Sequence, residues 1–276
     1  MQYKLLLTQA DTTMFNWQLK VFFSSIEHLE IPKQNIILLT EIKGKPSEDF
    51  RKFERLATCH YFEDKKQRFY KPSCKPHLYG RFWEMYPACE QEYFFFAEQD
   101  MLISALPEVP LKPDTWFWSD ASKFIETGKF EHVIGMQPRT SKPGGFHAIG
   151  TGVNADFWYK VEEDSIRLFE YMCKHIDVQY DRWICEMRAW IWNIWDRGFK
   201  TELSPELDFE YGKGWRRNVK LYHHLDARVF DKTKFRHTEP FEVMQRYHVP
   251  EELSVSRYIN AVKDCGKNFL KKFNDA

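Results

Sequence analysis

Residues 92–103 read EYFFFAEQDMLI, an aromatic run that passes straight into Glu98-Gln99-Asp100 before the chain turns apolar again. The run predicts a strand, continuous and apolar as a central parallel strand should be. Residues two apart on a strand share a face, so Glu98 and Asp100 are expected to converge on one point at the strand's end. Burying both acids unpaired would be costly. Something positive is expected there, and pairing with Lys or Arg at a strand end competes evenly with a cation site.

The segments before this strand alternate. Residues 3–8 (YKLLLT), 35–40 (NIILLT) and 59–62 predict strands, separated by helical patterns over 14–29 and 48–56, with Pro32 as a breaker. A further helix is expected over 75–86, with Pro76 in its first turn. The alternation predicts an α/β fold with a mixed, mainly parallel sheet flanked by helices. Beyond it, 116–120 and 132–137 read as short strands and 142–145 as a turn. Helices are expected over 163–175, 181–197 and 254–273, and a strand or its exit over 215–225. No linker separates two folding units, so one domain over 1–276 is expected, with a nucleotide-binding half to about 140 and an acceptor-binding half after it.

Composition narrows the classes. With 276 residues and 43% hydrophobic content, the chain can bury a large core. Forty Lys and Arg balance forty Asp and Glu, so no net field draws in polyanions. The six cysteines form no C-x-x-C pair and read as free thiols. The opening MQYKLLLTQAD is shorter than a signal-peptide core, and no window reaches the roughly 18 apolar residues of a membrane span. A soluble cytoplasmic protein with no membrane partner is the expectation.

In open α/β sheets, ligands sit outside the carboxyl ends of the strands, where Thr8-Gln9-Ala10-Asp11 and Glu98-Gln99-Asp100 both fall. TQADTTMF offers no glycine for a dinucleotide fingerprint, and a P-loop is absent. A nucleotide site built on a hard cation remains, because carboxylate oxygens suit Mg²⁺ or Mn²⁺. Lys75 at a helix start suits an anionic group, although most such lysines are simply solvated. Glu186 sits among Trp183, Met187 and Trp190, where an acid needs a partner or a substrate; facing solvent or pairing with Arg182 or Arg188 competes evenly with that reading. One imidazole of His223-His224 would reach a metal, with the other packed outward.

Lys75-Pro76, YFFFAEQDMLI, GFHAIGTGVNADF at 145–157, WICEMRAW and LYHH occur in one order over about 3–235. In that order they resemble the plant hydroxyproline O-arabinosyltransferase and peptidyl-serine α-galactosyltransferase group. The resemblance implies a GT-A fold, a UDP-sugar donor, Mn²⁺ or Mg²⁺, and transfer with retention. It makes Asp100 the principal metal ligand, Glu98 its partner toward metal or ribose, and His223 or His224 the remote ligand. It sets Glu186 beside the transferred sugar or acceptor hydroxyl, as the catalytic residue. Thr8, Gln9, Asp11, Lys75, Glu98 and Gly150 fall to the donor. Gln99 departs from the group's acid-Pro-Asp motif, and the plant enzymes' membrane anchor is not read here.

The acceptor stays open. Soluble bacteriophage glycosyltransferases modify hydroxymethylated pyrimidines in DNA, and an anchorless relative of an arabinosyltransferase fits that setting, in the host cytoplasm. Basic clusters at Lys65-Lys66-Gln67-Arg68, Trp215-Arg216-Arg217 and 267–272, interleaved with Phe69, Tyr70 and Trp215, are the matching surface. Hydroxymethylcytosine in DNA therefore leads as acceptor, with L-arabinose as the sugar, ahead of a peptide hydroxyl (hydroxyproline or serine) or a glycan. A binding module that holds sugar or nucleic acid without catalysis is the reading from another class, and Gln99 is the residue that permits it.

Overall fold

The structure is a computed structural model that describes residues 2–63, 68–139, 141–212, 214–215, 217–225 and 230–275, with Tyr180 by its backbone alone. Its elements in chain order are β1 (Lys4–Ala10), α1 (Thr13–Ile26), β2 (Ile36–Ile42), α2 (Glu48–Arg51), β3 (Thr58–Glu63), α3 (Cys74–Met85), β4 (Phe94–Ala97) and β5 (Met101–Ile103). There follow β6 (Thr115–Asp120), β7 (Gly144–Gly150), α4 (Ala155–His175), α5 (Gln179–Trp183), α6 (Cys185–Asp196), β8 (Lys200–Leu203), β9 (Phe209–Glu210) and β10 (Leu221–His223). The chain closes with α7 (Phe241–Gln245), α8 (Val255–Asp264) and α9 (Leu270–Asp275). Seven strands form a mixed, mainly parallel sheet in the order β3-β2-β1-β4-β7-β6-β8, and three more form a small sheet in the order β5-β10-β9. No helix among the described residues is long and apolar enough to cross a membrane.

The chain divides into two compact units that interleave along the sequence. The first comprises Met1–Leu6, Phe62–Phe96 and Val109–Leu207; the second comprises Leu7–Tyr61, Ala97–Glu108 and Asp208–Ala276.

In the first unit the aromatic wealth of the sequence is spent on packing. Phe94, Phe95 and Phe96 are buried on both faces of β4, which pairs antiparallel with β7 through Phe94↔Gly150, Phe95↔Ile149 and Phe96↔Ala148. The rings of Phe96, Trp158 and Trp190 pack together, with centroids 4.8 to 5.5 Å apart, and Tyr79 sits against Trp158 at 4.6 Å. Two glycines of β7 make room for the indoles of β6: a Cβ on Gly150 would lie 2.1 Å from the Trp116 ring, and one on Gly144 would lie 2.3 Å from Trp118.

Several expectations change at this level. The stretch 92–103 is two strands and not one: β4 ends at Ala97, residues 98–100 turn, and β5 belongs to the small sheet. β4 has an antiparallel neighbour in β7, which places it at the switch of a mixed sheet. Residues 132–137 are not a strand; Glu131–Ile134 is a 3₁₀ turn that ends at Gly135 with φ +80°. The glycine pair of 142–145 opens β7 in place of a turn: a Cβ on Gly144 would meet Trp118 of β6, and one on Gly145 would lie 2.8 Å from the Ala121 side chain. The pattern over 181–197 splits at Ile184 into α5 and α6, and the last helix is interrupted by a π turn over Cys265–Phe269.

In the second unit α1 is capped by Thr12, whose side chain accepts from Phe15 N, and α2 by Ser47, which accepts from Phe50 N. β10 runs antiparallel to β5, with Met101 opposite His223 and Ile103 opposite Leu221. That register carries the residue before Met101 and the residues after Tyr222 to the same edge of the small sheet.

Candidate metal and donor site

The turn that ends β4 is closed by Met101 N donating to Glu98 O at 3.2 Å. Glu98 and Asp100 flank that turn, so the bend brings their carboxylates together where strand alternation was expected to do so. His223 ends β10 directly across from Met101. Its Nε2 lies 3.2 Å from Asp100 Oδ1 and 3.4 Å from Glu98 Oε2. One ligand atom from each of Glu98, Asp100 and His223 falls within 4.8 Å of the others.

Burial sharpens the electrostatics. Burial alone would raise the Asp100 carboxyl, but the Lys232 charge and then His223 hold it well below the usual carboxylate range. Burial would likewise discharge His223; Asp100 first and Glu98 second overcome it and raise the imidazole to about 9. Lys232 Nζ donates to Asp100 Oδ2 and, at 2.7 Å, to His224 O. No well-aligned hydrogen bond reaches the buried Asp100 Oδ1 among the described residues. Two carboxylates and one imidazole aimed at a common point, with a buried oxygen off the hydrogen-bond line, are a donor set that fits Mn²⁺ or Mg²⁺.

The two histidines have different surroundings. His224 Nε2 meets Phe230 O at 2.7 Å, its Nδ1 meets Tyr222 OH at 3.2 Å, and its ring stacks on Tyr258 at 4.6 Å. Burial, then the Lys232 charge, push it down to about 4, so it is a neutral packing residue. Only His223 faces the acids.

At the end of β1, also in the second unit, Thr8 and Gln9 are buried. Neither amide atom of Gln9 has a hydrogen-bond partner among the described residues, although the side chain is nineteen-twentieths buried. A native core seldom leaves a primary amide so placed. Asp11 has a different task. Its Oδ1 accepts from Asn16 Nδ2 at 2.8 Å and Ser47 Oγ at 2.9 Å, and its Oδ2 accepts from Ser47 N at 2.6 Å. Both oxygens tether the segment that starts α2.

The first unit holds Glu186 and Lys75 together. Glu186 opens α6, Lys75 opens α3, and Lys75 Nζ lies 3.2 Å from Glu186 Oε1. The alternative for Glu186 was solvent or an ion pair with Arg182 or Arg188; Glu186 is buried, Arg188 pairs with Asp181, and Arg182 with Ile176 O. The Tyr70 hydroxyl completes the arrangement: it lies 2.6 Å from Trp183 O and 3.1 Å from Glu186 Oε2, and it accepts from Glu186 N at 3.1 Å. Burial, then the Glu186 charge, raise that phenol well above its ordinary value, so it stays a hydroxyl. Burial also pushes the neighbouring Cys185 thiol up to about 12, which removes a thiolate nucleophile from this place. Gly150 is a packing residue under Trp116.

Two residues were missed. Lys232 had no signal in FDKTKF, because its partner Asp100 is 132 residues away in sequence. Tyr70 was read only as an aromatic within a basic cluster. Of that cluster, Lys65, Lys66 and Gln67 lie outside the described residues, as does Arg216. Phe69 and Trp215 are exposed while Tyr70 is buried.

No protein-family model and no curated protein matches the chain. Among solved structures, it is similar to the galactosyltransferase LgtC in complex with donor and acceptor sugar analogues, at 13% identity and TM-score 0.50, over 90% of this chain and 98% of that one. The apo structure of the bifunctional glycosyltransferase WbbM aligns at 10% identity and TM-score 0.48, over 99% of this chain and 51% of that one. The fold is therefore the GT-A glycosyltransferase fold.

Proposed function

We propose that the protein is a metal-dependent, retaining glycosyltransferase that moves a sugar from a UDP-sugar to a hydroxyl acceptor. The observation that carries this reading is the convergence of Glu98, Asp100 and His223 on one point in a chain with a GT-A fold. In this reading Asp100, Glu98 and His223 hold Mn²⁺ or Mg²⁺, which supplies charge neutralisation for the departing diphosphate. Gln9, with its unpartnered amide at the end of β1, reads the nucleoside, and Thr8 lines the same strand end.

Retention requires either a covalent intermediate or attack on the face that the nucleotide leaves. Glu186 is held in place by Lys75 and Tyr70 before any substrate arrives. A fixed carboxylate stabilises positive charge at an anomeric carbon, or orients an acceptor hydroxyl, without reorganising during the reaction. We assign Glu186 that role and Lys75 the role of holding it in place.

The finer assignment is L-arabinose as the sugar, on the strength of the sequence resemblance, and hydroxymethylcytosine in DNA as the acceptor, on the basic residues interleaved with the exposed rings of Phe69 and Trp215. Transfer from UDP-arabinose to hydroxymethylcytosine-containing duplex, set beside a hydroxyproline peptide and a glycan, tests it. Product on the duplex alone is expected; product on the peptide alone overturns the acceptor and keeps the transferase. The Lys232 ion pair favours a second reading, a module that binds sugar or nucleic acid without catalysis, since it already neutralises Asp100. Release of UDP from a UDP-sugar without acceptor separates the two.

A further inference from the structure

Lys232 engages the acid that the cation reading makes the principal ligand. Its ammonium donates to Asp100 Oδ2, and it is held from the other side by His224 O at 2.7 Å. That carbonyl does not move easily, because the His224 ring is fixed by Phe230 O and Tyr222 OH and stacks on Tyr258. The backbone at Lys232 is also pinned, without help from its ammonium. Asp231 Oδ1 caps the turn Lys232–Phe235 by accepting from Thr233 N at 2.9 Å and Thr233 Oγ1 at 2.7 Å. The flexible part is the stem. Lys232 keeps 20% of its side chain exposed against 9% for Asp100.

We propose that Lys232 is a displaceable counter-cation: it satisfies Asp100 in the metal-free protein, and a divalent ion binds Glu98, Asp100 and His223 only by expelling its ammonium. This rests on the cation reading of the cluster given above. An ammonium and a divalent ion on one buried carboxylate repel strongly, because little water lies between them. A buried acid left with neither is costly as well. The two cations therefore alternate, and His223 releases its proton to solvent as its Nε2 takes the ion. The metal-free site keeps its geometry, and metal affinity is lower than the three ligands alone would give.

Titration calorimetry with Mn²⁺ alone, on the intact protein and on Lys232→Gln, tests the exchange; Asp100→Asn reports whether the heat comes from this cluster. Lys232→Gln is expected to bind Mn²⁺ about tenfold more tightly than the parent, or better, since a neutral amide opposes the ion far less than an ammonium. Its metal-free melting temperature is expected to fall, and Mn²⁺ to raise it by more than in the parent. Lys232→Arg keeps the charge and is expected to bind Mn²⁺ no more tightly than the parent, which controls for a folding defect in the glutamine variant. Asp100-dependent binding that Lys232→Gln leaves equal or weaker, or that Lys232→Arg strengthens, overturns the exchange and spares the metal site. Binding that Asp100→Asn leaves intact, or that is absent from parent and variant alike, overturns the metal reading and the exchange with it.

Discussion

Asp100 in the second unit and Glu186 in the first are both buried acids that meet a lysine, Lys232 in one case and Lys75 in the other. The rest of their surroundings differ. Around Asp100 stand a second carboxylate and an imidazole, and one ligand atom from each of the three groups falls within 4.8 Å of the others. Around Glu186 stand a phenol hydroxyl and its own backbone amide bound to that hydroxyl, which fix a single acid in one orientation. A buried acid with a lysine is thus not in itself a metal signature. The second carboxylate at the same point makes the difference, because it turns an ion pair into a chelating set. In the proposed function one region takes a cation, and the other holds a charge still.

The comparison can be broken by substitution. The largest effect is expected from Asp100→Ala: loss of the central oxygen ligand should weaken Mn²⁺-dependent binding of a UDP-sugar by more than about a hundredfold, as fluorescence or calorimetric titration would read it. Retained cation-dependent binding would reduce this acid to the same status as Glu186. Glu186→Gln should leave donor affinity nearly unchanged and lower turnover by about a hundredfold, the scale for losing one placed electrostatic group. A variant with normal turnover would make Glu186 structural.

His223 and His224 sharpen the contrast within three residues. His223→Ala is expected to reduce Mn²⁺ affinity by about tenfold or more, as for a lost ligand interaction. His224→Ala is expected to keep that affinity and cost about 1–3 kcal/mol of stability in chemical denaturation, since it leaves buried partners unsatisfied. Equal metal affinity in the two variants would remove histidine from the cluster. The smallest change is expected from Tyr70→Phe, at about 1 kcal/mol in the same denaturation measurement, from the loss of one buried hydroxyl.

Much of the fold was legible because its signals are local. β1, β2, β3 and the helices between them follow from apolar runs, caps and Pro32, all of which act within a few residues. The β4–β5 break was not legible. FFFAEQDMLI is apolar on both sides of its acids, and only pairing with β7 on one side and β10 on the other shows that the strand ends at Ala97. Gly144 and Gly145 read as a turn because glycine's usual signal is conformational; here Gly144 is required by contact with Trp118. At the site, Asp100, Glu98 and one of two histidines were singled out together, and the structure brings Glu98, Asp100 and His223 within reach of one another. Choosing His223 over His224 needed the β5–β10 register, which fixes the residue opposite Met101. Lys75 and Glu186 were singled out separately, for an anion and for a sugar, and only the tertiary structure makes them partners. Lys232 lay beyond sequence reasoning, as a surface-like lysine whose burial is decided by a distant strand turn.

The central claim is that Glu98, Asp100 and His223 form a cation site that serves a sugar nucleotide. The most direct measurement is UDP release from UDP-arabinose and UDP-galactose by the purified protein without acceptor, with chelator and then with Mn²⁺ restored, for the parent and Asp100→Asn. The account predicts release from at least one donor by the parent with Mn²⁺, none with chelator, and none from Asp100→Asn under either condition. Release that persists in chelator, or that Asp100→Asn retains, would contradict it.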